Sequence, residues 1–331
     1  MKRALVTGGC GFIGSSLTKE LVKNGWTVDV VDDMSNGHLE LLTGLKMRVV
    51  PGDLLGAFYA GNPTREEGYV HIIQSDFSHR GVLKNIADKK YDCVFHQAAV
   101  PRVLYSVENP SETTDTNLSS TVRLFEACIS NVERVVFASS SSVYGGATEL
   151  PTRESAAKDP KSPYAWQKSA TEDIAKIFGN LYNLDIVCLR YFNVFGPGQY
   201  GDSPYSTAVS AWCNAIVNDE PLRSDGDGSQ SRDLCYIDNV VHANICAATS
   251  GNKFYGKSYN VACGDRTSNS EILDYLTKRF SGIVINHAPW RPGDVMHTQA
   301  DITSTIEDLG YSPEVKFWDG LEKTLEWWGI E

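Results

Sequence analysis

The sequence predicts an α/β fold built on a doubly wound parallel sheet, with a smaller mixed region toward the C-terminus. Three observations carry this. Short β-branched runs alternate with helix-length amphipathic stretches through the first half of the chain, and strands separated by helices pair in parallel through crossovers. A glycine-rich turn directly follows the first of these runs and opens the first helical stretch. After Asn193 the alternation gives way to segments rich in Gly, Pro, Ser and Asp.

Taken in order, the strands fall at 3–7, 27–31, 71–74, 93–96, 134–138 and 186–189. Helices fall between them at 13–24, 80–87, 111–130 and 163–182. Residues 47–51 also read as a strand. The stretch 52–69 that follows has four glycines and no clear period, so it reads as an insertion. Residues 1–190, with 236–262 returning to them, form the expected first domain; 191–235 and 263–331 form the second region.

The chain has 331 residues, 42% hydrophobic and 21% charged, a globular rather than a disordered balance. With 30 Lys+Arg against 41 Asp+Glu, the net charge of −11 argues against a nucleic-acid partner, because no overall field attracts phosphates. A local basic pocket for one diphosphate is still compatible with it. No stretch approaches the roughly 18 apolar residues that a membrane span needs. The N-terminus runs into a short apolar strand and lacks a signal-peptide pattern. The eight cysteines are scattered without a CxxC pair, and the seven histidines show no ligand spacing. The expectation is a soluble, cytoplasmic protein with no metal site and no membrane partner.

Gly8, Gly11 and Gly14 allow a tight turn, let backbone approach a pyrophosphate and permit close helix–strand packing, while the helix N-terminus offers N–H donors. Asp32 closes the second strand 18 positions past Gly14. A carboxylate there accepts from ribose hydroxyls and repels a 2′-phosphate, so the expected cofactor is NAD on a Rossmann domain. Asp33 is placed to share that role.

Tyr164 and Lys168 lie one turn apart on one face of the helix at 163–182. An unperturbed tyrosine has a pKa of about 10, and bringing it to about 7 takes roughly 4 kcal/mol of differential stabilisation, which a neighbouring ammonium helps to supply. The run Ser139-Ser140-Ser141-Ser142 lies upstream.

At this point the chain closely resembles the extended short-chain dehydrogenases/reductases, specifically their NAD-dependent nucleotide-sugar epimerases, and most of all the UDP-N-acetylglucosamine and UDP-glucose 4-epimerases. Besides the glycine turn, the resemblance rests on His96-Gln97-Ala98-Ala99, on Ser139 to Gly145, and on Ser162-Pro163-Tyr164 with Lys168. It continues through Leu189-Arg190-Tyr191-Phe192-Asn193, Gly226-Asp227-Gly228, Ser231-Arg232-Asp233 and Arg291-Pro292-Gly293-Asp294.

The resemblance implies roles. Tyr164, Lys168 and Ser140 would be catalytic. Phe12, Ile13, Asn36, Phe77, Gln97, Ala98, Ala99 and Tyr191 would line the cofactor, with Asn117 near its diphosphate. An aspartate near the adenine could be Asp53 or Asp76; Asp76 lies 20 residues before His96, leaving room for one helix and one strand, and is preferred. Ser141, Ser142 and Asn193 would contact the sugar, Arg232 and Arg291 the diphosphate, and Asp294 belongs to the last motif. Thr298, four past Asp294, would flank the C2 substituent, where a small side chain admits an N-acetyl group. Two positions depart from the pattern: Gln97 replaces an aromatic or leucine, and Pro101 replaces a lysine that reaches the cofactor ribose.

The implied reaction is 4-epimerisation of a UDP-hexose, UDP-GlcNAc/UDP-GalNAc or UDP-Glc/UDP-Gal. The alternatives are UDP-glucuronate 4-epimerisation, disfavoured by Asn193, and 4,6-dehydration. Dehydration needs an acid and a base beside the catalytic hydroxyl, where this chain has Ser141 and Ser142. A non-catalytic NAD-binding protein and a reductase that releases its cofactor are the readings from other classes. The helices at 111–130 and 163–182 resemble those that pair in the family's homodimers.

Overall fold

The computed structural model describes residues 2–55, 69–146, 148–201, 207–290 and 295–331. The chain forms two compact units: Met1–Ser139 with Ser162–Arg190 and Val241–Tyr259, and Ser140–Lys161 with Tyr191–Val240 and Asn260–Glu331.

The first unit is built on β1 (Arg3–Thr7), β2 (Thr27–Asp32), β3 (Met47–Pro51), β4 (Val70–Gln74), β5 (Cys93–His96), β6 (Arg134–Ser140) and β7 (Ile186–Tyr191). Together with a later strand, Lys257–Val261, they form one sheet. Its order runs from that later strand through β7, β6, β5, β1, β2 and β4 to β3. The pairings of β1 with β2 and β5, of β4 with β2 and β3, and of β5 with β6 are all parallel. Such strands are covered on both faces and therefore read as unbroken apolar runs; β7 is buried at every position. Leu5, Val31, Ile73, Val94, Val135 and Phe137 are buried core side chains of this sheet.

The helices here are α1 (Phe12–Lys23), α2 (Arg80–Ala87), α3 (Val103–Glu108), α4 (Pro110–Thr114), α5 (Thr121–Cys128) and α6 (Pro163–Tyr182). The single helix expected at 111–130 is a correction: Asp115–Ser120, between α4 and α5, is π-helical. A π turn adds a residue to the ring closed by each hydrogen bond and breaks the 3.6-residue register. In α6, Ser162 caps the start by accepting from the Ala165 N–H, and Pro163 takes the first position, where its missing N–H costs nothing. Asn183, in the left-handed conformation, ends it.

Arg134 docks the returning segment. Its guanidinium pairs with Asp185 at 2.7 Å and donates to the carbonyls of Ala247, Ser250 and Asn252. Asp185 also accepts from the Phe254 N–H. Every polar group of this buried pair is occupied, and removing one partner would cost about 3–5 kcal/mol.

The second unit holds short pairs: β8 (Val194–Phe195) with β11 (Cys235–Tyr236), β9 (Leu222–Asp225) with β14 (Ile285–Ala288), and β10 (Ser231–Arg232) with β13 (Thr267–Ser268). The Lys257–Val261 strand is β12. Helices α7 (Ala208–Val217), α9 (Asn269–Arg279), α10 (Thr303–Leu309) and α11 (Phe317–Trp327) belong to it, and α8 (Ile237–Thr249) links the units.

Residues 140–161, expected in the first domain, cluster here instead. The reason is Asn260, fully buried, which donates to the Thr152 and Asp301 carbonyls and accepts from the Tyr144 hydroxyl. These bonds fasten the segment after β6 to the C-terminal residues. No described helix is long and apolar enough to cross a membrane, and no described cluster of His, Cys, Asp or Glu could hold a metal.

Candidate active site

In the first unit, the turn after β1 is shaped by what its glycines exclude. Gly8 has φ +66°, and a Cβ on it would lie 2.9 Å from the backbone of Ala98. A Cβ on Gly14 would lie 2.1 Å from the Gly8 carbonyl oxygen. The turn therefore sits directly against Ala98, and α1, whose first residues are Phe12 and Ile13, starts tight on it. Gly11 is its N-cap and brings no side-chain acceptor to the helix start.

Asp32 is 8% exposed at the end of β2. One oxygen accepts from the Cys10 N–H and the other from the Met34 N–H, both at 2.9 Å. Burial pushes its carboxyl up, against the pull of those two donors. Each oxygen keeps a second acceptor direction for a ribose hydroxyl. Asp33 is occupied differently: one of its oxygens caps the Ser35 N–H and hydroxyl. A glycine cradle, an uncapped helix start and a carboxylate closing β2 together fit NAD.

Asn36 is exposed and accepts from Arg102 at 2.8 Å. Asp76 follows β4, the strand beside β2, whereas Asp53 follows β3 at the sheet edge. Asp76 accepts from both the N–H and hydroxyl of Ser78. Phe77 is buried edge-on against His96. Gln97 donates to Asn244, and Ala98 and Ala99 continue the loop after β5.

Asn117 lies in the π segment and has both its N–H groups engaged, by the Val100 carbonyl and by Gln167. Its oxygen accepts from the Val100 N–H. These three bonds tie it to the 97–102 loop and to α6.

Tyr164 and Lys168 face the interior of this unit, 8% and 3% exposed. The Tyr164 N–H donates to the Ser106 hydroxyl. The Lys168 ammonium donates to the Ala138 carbonyl at 2.7 Å and lies 5.9 Å from the Tyr164 ring centroid. Burial lowers its pKa to about 7, opposed by Cys188 and Glu172.

In the second unit, Ser140 accepts from the Ser142 N–H at 3.2 Å, and Ser141 begins the turn that follows. The Ser142 hydroxyl is buried and has no hydrogen-bond partner. Tyr191, at the end of β7, is 8% exposed. Asn193 and Arg232 line a cavity of about 410 Å³ with Trp212, Arg223, Asp225 and Gln230. The Thr298 hydroxyl accepts from the Asp233 N–H and reaches toward Asn193 at 3.5 Å. Arg291 and Asp294 lie outside the described residues.

Two further buried groups, His96 and Asp233, carry no site role in the sequence motifs. His96 is hydrogen-bonded to the Thr7 and Thr121 hydroxyls at 2.7 and 2.9 Å, and burial drives its pKa down to about 3. Asp233, fully buried, accepts from the N–H groups of Cys263, Gly264 and Ala300. Burial raises its pKa to about 7 despite those donors. It fixes the backbone between Arg232 and Thr298. In the sequence it stands only as the third residue of Ser231-Arg232-Asp233.

Residues 4–262 match a family described as the NAD dependent epimerase/dehydratase family. UDP-glucose 4-epimerase of Mycolicibacterium smegmatis is 33% identical, over 98% of this chain and 97% of its own length. Among solved structures, UDP-N-acetylglucosamine 4-epimerase from Methanobrevibacter ruminantium, in complex with UDP-N-acetylmuramic acid, superposes with a TM-score of 0.86 at 35% identity, covering 98% of this chain and 97% of that one. UDP-glucose 4-epimerase of Thermus thermophilus, in complex with NAD, gives 0.82 at 29% identity, with 99% of each chain covered.

Proposed function

Because the chain belongs to the NAD-dependent epimerase/dehydratase family, we propose that it inverts C4 of a UDP-hexose, with UDP-GlcNAc/UDP-GalNAc as the preferred pair and UDP-Glc/UDP-Gal also accepted. The observation that carries the reaction type is the buried Tyr164–Lys168 couple, in a chain whose sequence has serine rather than an acidic residue at 140, 141 and 142. Tyr164 takes the proton of the sugar 4-hydroxyl, helped by the Lys168 charge, and Ser140 hydrogen-bonds the same oxygen. NAD, held by the turn at Gly8, Gly11 and Gly14 and by Asp32, would supply a reversible hydride acceptor for C4. Tyr164 then gives the proton back, so no net oxidation remains. Serines at 141 and 142 supply neither the acid nor the base that removal of water would need.

The cavity around Asn193 and Arg232 suits the nucleotide diphosphate, with Arg232 and Arg223 as its cations, and Arg291 is a further phosphate ligand. The unpartnered Ser142 hydroxyl is available to the sugar. Thr298, far smaller than the tyrosine that would close the pocket, leaves space at C2. Trp166, Ile177 and Leu181 form an exposed apolar stripe along α6, at 50%, 47% and 70% exposure, and a second copy of the chain is the proposed cover.

The test is to incubate the purified protein, with no NAD added, with UDP-GlcNAc and UDP-glucose in parallel and to separate the 4-epimers by chromatography. Faster conversion of UDP-GlcNAc is expected. Conversion of UDP-glucose alone overturns the substrate assignment, and conversion of neither, even with NAD supplied, overturns the reading.

A further inference from the structure

Tyr164, Lys168 and Glu172 follow one another at four-residue intervals, so they form one stripe on α6. Glu172 is 3% exposed and fully engaged. One oxygen accepts from the Ser139 hydroxyl at 2.6 Å and from Arg190 Nε at 2.8 Å; the other accepts from Arg190 Nη2 at 2.7 Å. Lys168, one turn earlier, holds the carbonyl of Ala138. The two charged side chains thus grip consecutive residues at the end of β6, immediately before Ser140.

We propose that Glu172, clamped by Arg190 and Ser139, is a positioning residue for the reaction: it holds the Lys168 ammonium beside Tyr164 and fixes the strand end from which Ser140 follows. A buried bidentate ion pair is weak evidence for stability alone, since a well-packed apolar pair often does as well. Its placement on the stripe of Tyr164 and Lys168 is what gives it a role. The ionisable groups around Lys168 are Tyr164 and Glu172 on its own helix, Cys188 and Arg190 on β7, and His96 on β5. His96 is neutral and Arg190 is cationic, so Glu172 supplies the standing negative charge in this set. Without it, burial and Arg190 both push Lys168 toward the neutral amine, and a neutral amine no longer favours the Tyr164 phenolate.

The inference rests on the assignment of Tyr164 and Lys168, and its test separates the two. Tyr164 ionisation is read, without substrate, as the difference in ultraviolet tyrosinate absorbance between a protein and the same protein carrying Tyr164→Phe. Turnover is measured on UDP-GlcNAc and UDP-glucose. Loss of turnover in Tyr164→Phe upholds the assignment, and full turnover in that variant overturns it. Glu172→Gln raises the Tyr164 midpoint by about one pH unit and lowers kcat about ten-fold at neutral pH, with KM unchanged. A folded Glu172→Gln protein whose midpoint does not move overturns the inference, because a merely structural role predicts that result. Ser139→Ala removes only one hydroxyl and keeps the ion pair; it lowers kcat about five-fold, equivalent to one ordinary hydrogen bond, and leaves KM unchanged. If it turns over at the wild-type rate, the clamp has no bearing on the reaction, whether or not Glu172→Gln folds.

Discussion

The Lys168 ammonium lies 5.9 Å from the Tyr164 ring centroid while donating to the Ala138 carbonyl at 2.7 Å. The lysine is thereby fixed by the sheet and presents its charge to the tyrosine from within the protein. A charge held this way acts in a medium of lower dielectric than water and is screened little by salt, so its influence on the phenol exceeds that of a surface lysine.

Replacing the proposed acid–base group should remove the chemistry and leave the binding surfaces. Tyr164→Phe lowers kcat by about 10²–10⁴-fold, the usual worth of a general acid–base group, with little change in KM. Steady-state kinetics on the preferred UDP-sugar check this.

The turn at Gly14 tolerates no side chain. A Cβ there would meet the Gly8 carbonyl oxygen at 2.1 Å, so Gly14→Ala must displace α1 from the turn. The variant is expected to lose roughly 1–3 kcal/mol of stability, as overpacked sites do, and to retain less NAD through purification. Thermal unfolding and the NAD content of the purified protein measure the two effects separately.

On the proposed assignment, bulk at Thr298 should discriminate between substrates. Thr298→Tyr is expected to lower kcat/KM for UDP-GlcNAc at least about ten-fold relative to UDP-glucose, within the range that a wall contact commands. Full activity of the variant on the N-acetyl sugar would end the assignment of Thr298 to the C2 pocket.

His96 makes stability depend on acid. Its pKa is about 3 in the folded chain against 6.5 for the free side chain, so between those values the unfolded state binds more protons. The contribution of neutral His96 is complete above pH 6.5 and is lost as pH falls through that window toward 3. Urea unfolding at several pH values should show wild-type stability declining over this range more steeply than that of His96→Phe. Equal slopes would contradict it.

The sheet was legible because its central strands are buried on both faces and read as apolar runs; β1, β5, α2 and α6 fall where the pattern placed them. The π segment was not legible, because one residue of altered register inside a continuous polar-and-apolar pattern leaves the pattern intact. Nor was α3, whose Val103, Leu104 and Val107 are exposed and give no amphipathic signal. In the site, the spacing of Tyr164 and Lys168 on a helix is a local fact and could be read directly. The Glu172–Arg190 pair, the Asn117–Gln167 bond and the backbone donors on Asp233 join residues far apart in the chain, and only the fold brings them together.

The fate of the C4 hydrogen tests the proposed hydride return most directly. Supplied with UDP-GlcNAc deuterated at C4 in ordinary water, the protein should yield the 4-epimer with its deuterium still at C4. A product carrying solvent hydrogen at C4 would contradict hydride return within one site, and with it the epimerase assigned to Tyr164, Lys168 and Ser140.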